Sequence, residues 1–198
     1  TDAGISPNDT VIGTLSIYCT LDAETLLVFP DNVSRFANRD FADILQTQIV
    51  EDLRILHDPD WNRRGLWDRA YSEAYRPNVP AALLELLSHQ NFLDMQFFLD
   101  PRFKFDVSRS IYKAMLRFLA TQYQESYVVQ PLPVKNFSAT FGNPGHVYLN
   151  WKPQKDLIED TAIPTGYIVY TRIENSGFDN GMYITDSSFI TDSLSPSV

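Results

Sequence analysis

Residues 79–91 read VPAALLELLSHQN, a run that is apolar almost throughout yet carries Glu85 at its centre. A carboxylate among leucines has two physical readings. Either it reaches solvent from a strand end or helix surface, or it is buried for acid–base chemistry. The same stretch decides the fold class. Pro80 disfavours regular structure at the start. AALLELL is then a short continuous apolar run, the pattern of a parallel strand covered on both faces. Helix is the competing reading, because Ala, Leu and Glu are strong helix formers.

Upstream, TVIGTLSIYCT (10–20) is β-branched and apolar and reads as a buried strand with Gly13 inside it. A long amphipathic helix is predicted over 32–56, where Val33, Phe36, Ala37, Phe41, Ile44, Leu45, Ile49, Leu53 and Ile55 recur at helical spacing. Asp31 or Asn32 is its expected N-cap, and Pro59 marks the stop. WNRRGLWDRAYSEAYRPN (61–78) reads as a loop with some helix. Downstream, NFLDMQFFLD (91–100) predicts a short helix and PRFKFDVSRSIYKAMLRFLATQYQ (101–124) a longer one. In the latter Val107, Ile111, Met115, Phe118 and Leu119 form one apolar stripe. Residues 1–127 are therefore expected to form an α/β domain, an open and mostly parallel sheet flanked by helices.

At VVQPLPVKN (128–136) the texture changes, and two prolines predict a stiff linker. FSATF, HVYLNW, GYIVYTRI, GMYITD and SFIT follow as short strand-like runs, and Asn180-Gly181 is a strong two-residue hairpin signal. Residues 128–198 are expected to be all-β.

Composition narrows the function classes. The formal net charge is −9, with Lys and Arg scattered rather than striped. That argues against nucleic acid and anionic membrane surfaces, whose affinity comes from basic patches. No apolar run reaches the length of a membrane span, and no signal peptide opens the chain, as also holds for a mature secreted protein. Cys19, the one cysteine, excludes an internal disulfide and a multi-cysteine zinc site. His57, His89 and His146 show no HxxxH or HExxH spacing, so the chain itself spells out no metal site.

Several residues invite a functional reading beside a bland one. His57 and His89 are candidate ligands, but surface histidines are common. Trp61, Trp67, Tyr71 and Tyr75 could stack on sugar rings, though loop aromatics more often anchor the loop to the core. Arg64 could hold a substrate carboxylate through two hydrogen bonds or form a structural ion pair. Asp156, Glu159 and Asp160 look like half a calcium site and are more simply a solvated loop. Residues 178–181 are a hairpin turn before they are a ligand loop.

Arg64-Gly65, Pro80-Ala81, Leu84, Glu85, Asn91 and Asp94, followed by the helix predicted near 102–122, resemble the closing pattern of the zinc-dependent N-acetylmuramoyl-L-alanine amidases. TDAG, ISPNDTV, Gly13 and TLSIY resemble the segment that follows a zinc-binding histidine in that family. On this alignment the family's two histidines and one glutamate lie upstream of Thr1. The resemblance then implies a zinc cofactor whose ligands are not in this chain, and only the back half of the domain here. It gives Glu85 the proton-transfer role in hydrolysis of the amide between N-acetylmuramic acid and L-alanine. Leu87-Ser88 and Leu66-Trp67 stand where the family usually has Gly-Phe and often a lysine. Pro133-Val134, Trp151 and GYIVYTR resemble the start of a fibronectin type III domain, a partial sandwich here. The expected partners are peptidoglycan or another cell-envelope polysaccharide, together with missing segments of the same protein or another copy of the chain. The expected place is the periplasm or the secreted cell envelope. Two alternatives stay open. One is a catalytically inactive wall- or polysaccharide-binding module, which the departures favour. The other is a scaffold within a secreted polysaccharide-degrading protein.

Overall fold

The computed structural model describes residues 6–21 and 27–191 and divides the chain into two compact units at Tyr127/Val128. TDAG (1–4) lies outside the described residues.

The first unit runs β1 (Thr14–Tyr18), α1 (Ala37–Leu56), β2 (Arg63–Asp68), α2 (Ser72–Tyr75), β3 (Leu83–Glu85), α3 (Phe92–Leu99) and α4 (Pro101–Tyr123). Its sheet has the order β2-β1-β3. β2 is parallel to β1, but β3 is antiparallel to it, with Leu15 opposite Glu85 and Ile17 opposite Leu83. This corrects the expected parallel strand at AALLELL and the mostly parallel sheet. A parallel return needs a crossover, usually through a helix of several turns. The connection from β2 forms only the four-residue α2, and the chain enters β3 running the other way. The strand is also half-buried rather than covered on both faces.

Two further expectations change. The long helix starts at Ala37, not near 32, and Phe36 gives it no side-chain cap. Asn32 takes a left-handed backbone (φ 65°), and Asp31 Oδ1 accepts from Val33 N–H, so these residues build a turn instead of a cap. Residues 63–68, expected as loop, form β2. The smaller helices start on side-chain caps. Asn91 Oδ1 accepts from the Leu93 and Asp94 N–H groups, and Asp100 from Arg102 N–H just before Pro101.

α1 covers one face of the sheet, and α4 packs along α1. Leu45, Ile49, Val50 and Leu53 of α1 pack with Trp61, Leu87 and Phe103, Val107 and Ala114 of α4, and Leu84 and Leu86 lie against this cluster. A buried polar seam joins the two helices. Lys113 Nζ lies 3.0 Å from Asp52 Oδ2, Ser110 Oγ donates to the same oxygen at 2.7 Å, and Gln48 Nε2 donates to Asp52 Oδ1 at 3.0 Å.

The second unit contains β4 (Lys135–Phe141), β5 (Val147–Lys152), β6 (Tyr167–Val169), β7 (Met182–Ile184) and β8 (Ser188–Thr191). They form two antiparallel sheets, β4-β5-β8 and β6-β7. Trp151 is buried, with the Tyr167 ring edge-on at 5.2 Å. Asn180-Gly181 is not a two-residue hairpin turn. β6 and β7 are paired, but residues 170–181 join them, and Asp179 braces this loop across to Thr171 through backbone and side chain.

Candidate active site around Glu85

Side chains alternate across a strand. Leu84 and Leu86 pack on the helical core, so Leu83 and Glu85 project from the opposite face. The register then sets the neighbours. Gly65 on β2, Leu15 on β1 and Glu85 on β3 form one row, and Trp67, Ile17 and Leu83 form the next. Glu85 is half-buried, and among the described residues its carboxylate makes no hydrogen bond or ion pair.

A second carboxylate, that of Asp94, is fully buried. Asp94 Oδ2 accepts from Ser88 N–H at 2.8 Å and from Gly13 N–H at 3.3 Å. Ser88 lies three residues beyond Glu85, and Gly13 two before its register partner Leu15. Gly13 has φ 86°, and a Cβ there would meet the Asn62 carbonyl oxygen at 2.2 Å, so only glycine permits this approach. Arg64 is the extra residue where the β1–β2 register shifts, and its charge acts on Asp94. Burial pushes the Asp94 carboxyl above its ordinary value, against the opposing pull of the Ser88 and Gly13 N–H groups and the Arg64 guanidinium. Asp94 Oδ1 and Ser88 Oγ are buried with no hydrogen-bond partner. Asp94 thus ties the start of β1, the turn after β3 and the start of α3 together, two to three residues along the strands from Glu85. The sequence pattern flagged Asp94 but not this role. Its signal was the Asn-x-x-Asp spacing, which puts a cap and a first-turn acid at one helix start.

The other candidates separate. Trp61 is core, packed on Phe97 and Phe103 and donating from Nε1 to Thr14 Oγ1 at 2.8 Å. Trp67, Tyr71 and Tyr75 are exposed, and Trp67 shares the face of Glu85. His57 caps the end of α1 against Asp106 at 2.9 Å, away from Glu85 in the helical layer, and His89 is exposed in the turn after β3. Asp156 is buried rather than solvated, and its Oδ1 accepts from Ile158 N–H. Glu159 bonds to Thr161. Among the described residues no group of three or more His, Cys, Asp or Glu could hold a metal ion, so these residues do not by themselves fit a zinc centre. No described helix is long and apolar enough to cross a membrane.

No protein-family model matches the chain, and no curated protein matches it in sequence. Solved structures alike in backbone include N-acetylmuramoyl-L-alanine amidases. AmiC2 of Nostoc punctiforme superposes with a TM-score of 0.45 at 12% identity, over 58% of this chain and 52% of that one. The amidase of Clostridium difficile 630 gives 0.47 at 16%, over 58% and 52%. The catalytic domain of CwlV from Bacillus (Paenibacillus) polymyxa gives 0.43 at 17%, over 59% and 54%. The chain spans about half the length of these structures.

Proposed function

We propose that residues 1–127 are the back half of a zinc-dependent N-acetylmuramoyl-L-alanine amidase domain acting on peptidoglycan in the cell envelope, outside the cytoplasm. Glu85 takes a proton from the water that attacks the lactyl–L-alanine amide and returns it to the leaving amine. The reading assigns the zinc ligands to residues upstream of Thr1 and gives residues 128–198 the part of a fibronectin type III-like spacer. A buried Trp151 facing Tyr167 supports that second assignment.

One observation carries the reading of the first unit. Parts of the distributed pattern act on one another. The Arg64 charge acts on Asp94, Asn91 caps the helix that carries Asp94, and Glu85 projects unpartnered from the strand that leads into Ser88, whose N–H donates to Asp94. A half-buried carboxylate left without a partner on a strand end is available for proton transfer, whereas a structural one is paired. Digestion of purified peptidoglycan by the protein extended upstream of Thr1, supplied with zinc, tests the reading. Free stem peptides with new L-alanine amino termini are expected. Intact wall from a folded, zinc-supplied protein would instead support the binding-module alternative.

A further inference from the structure

The outer edge of β4 is open. In the sheet β4-β5-β8 it pairs with β5 on one side and with no described strand on the other, and every residue from Lys135 to Phe141 is exposed. The neighbouring bonds fix which backbone groups face outward. Gly142 N–H donates to the His146 carbonyl at 3.1 Å, toward the β5 side. Trp151 N–H donates to the Ser187 carbonyl at 3.1 Å, on the far side of β5. Backbone groups alternate sides along an antiparallel strand. Both bonds therefore turn Ser138 and Thr140 toward their partners Asn150 and Tyr148 on β5. Phe137, Ala139 and Phe141 present their N–H and C=O groups to solvent.

Edge strands are commonly kept from pairing by charges, prolines or bulges. Here a bulge stands at one end, where the register shifts between Lys135 and Ser138 and Asn136 takes φ 53°. From 136 to 143 the sequence NFSATFGN has neither charge nor proline. Residues 137–141 read FSATF, which shows the same residue classes from either end. Two antiparallel copies laid about Ala139 set Phe137 against Phe141, Ser138 against Thr140 and Ala139 against itself. The backbone favours the same register, because the outward-facing residues 137, 139 and 141 of one copy then meet 141, 139 and 137 of the other. Phe137 stacks on Trp151, and Phe141 shares its sheet face by alternation. These two rings are 60% and 91% exposed, so pairing them across copies covers apolar surface that the unit leaves bare. Each chain carries a net charge of −9, so two copies repel, and an uncharged edge is where they meet with least repulsion.

We propose that the β4 edge is a self-pairing surface, on which a second copy of this chain adds its own β4 antiparallel about Ala139. The product is one continuous sheet, β8-β5-β4-β4-β5-β8. The contact is isologous, so it closes as a dimer and does not extend into a fibre. A short strand pair with two aromatic contacts is a small interface, so the dimer dissociates reversibly at about 10–100 μM. The amidase reading concerns the first unit and is independent of this pairing.

The test is sedimentation equilibrium of the 198-residue chain across that concentration range. The mass is expected to rise from 22.7 kDa toward twice that value. Ala139→Lys sets like charges against each other on the two-fold axis and leaves every bond to β5 in place. Ala139→Pro removes an N–H that faces outward and serves no bond to β5. Each is expected to weaken dimerisation at least about tenfold, with the near-ultraviolet dichroism of Trp151 unchanged. If proline perturbs the strand, Ala139→Lys decides. A parent that stays at 22.7 kDa throughout would overturn the proposal. So would a folded Ala139→Lys that dimerises as strongly as the parent, since the copies would then meet elsewhere.

Discussion

The two units treat their apolar residues in opposite ways. In the first, much of each helical stripe is buried: Ile49 and Leu53 are completely covered and Val107 nearly so, although Phe36, Ile55, Met115 and Leu119 of the expected stripes reach solvent. In the second, Phe141 is 91% exposed and Ile173 81%, while among the described residues the buried apolar ones are Val129, Trp151 and Ala162. The cause is what each element faces. The apolar side of α1 faces both α4 and the sheet, and α4 packs along α1, so each helix covers part of the other. β4 is exposed along its whole length, and β6 and β7 show large apolar side chains to solvent. Strand alternation therefore tells which face wants cover, and not whether the unit itself supplies that cover. The units also differ in how they hold a carboxylate. Asp94 is buried and raised in pKa, whereas Asp179 is fully exposed and lowered, chiefly by the Thr171 hydroxyl and then by the Gly181 and Thr171 N–H groups.

The largest expected effect lies in the buried seam of the first unit. Lys113→Ala leaves the Asp52 carboxylate buried without its cation, and breaking a buried pair in this way costs about 3–5 kcal/mol. Urea denaturation followed by helical circular dichroism should show the loss. A change under about 1 kcal/mol, the range of exposed pairs, would mean the seam is open to water. In the second unit Trp151→Ala removes the one large buried ring, at about 3 kcal/mol or more. Near-ultraviolet dichroism should lose its Trp151 signal while the helical signal melts as in the parent. If the helical transition moves as well, the division of the chain into independently stabilised units fails.

The subtlest contrast is one of sign. Asp94 has a folded pKa above its unfolded one, so its contribution is greatest below the ordinary carboxylate value and declines as pH rises through the folded value. Asp179 behaves in reverse. Its contribution is present above the ordinary value and is lost as pH falls through the lowered one. Carboxyl chemical shifts against pH should place the two midpoints on opposite sides of the ordinary value of 3.8. Midpoints on the same side would erase this part of the comparison.

What could be read from the sequence follows from which interactions are local. β1, most of α1, α3 and α4 were legible because their apolar periodicity or caps lie within each segment. The first turn expected of α1 was lost because Asp31 and Asn32 bond within their own turn, a competition that periodicity does not register. β2 was missed because RRGLWD has neither β-branched residues nor clean alternation. It is an edge strand held by pairing with β1 and by Gln46, whose Nε2 donates to the Thr14 and Gly65 carbonyls. The direction of β3 was illegible, since an apolar run has no sense of direction. In the site, Glu85 stood out by interrupting leucines. The convergence of Gly13, Arg64 and Asp94 and the shared face of Trp67 depend on register between distant segments, which no local pattern encodes.

The central claim is that the unpartnered carboxylate of Glu85 moves the proton. The most direct measurement is the rate of stem-peptide release from purified peptidoglycan by the upstream-extended, zinc-supplied protein and by its Glu85→Gln variant, at matched folding stability. Glutamine keeps the shape and removes the base, so release should fall by about a hundredfold or more. Equal rates in the two proteins would contradict the account and remove Glu85 from the chemistry.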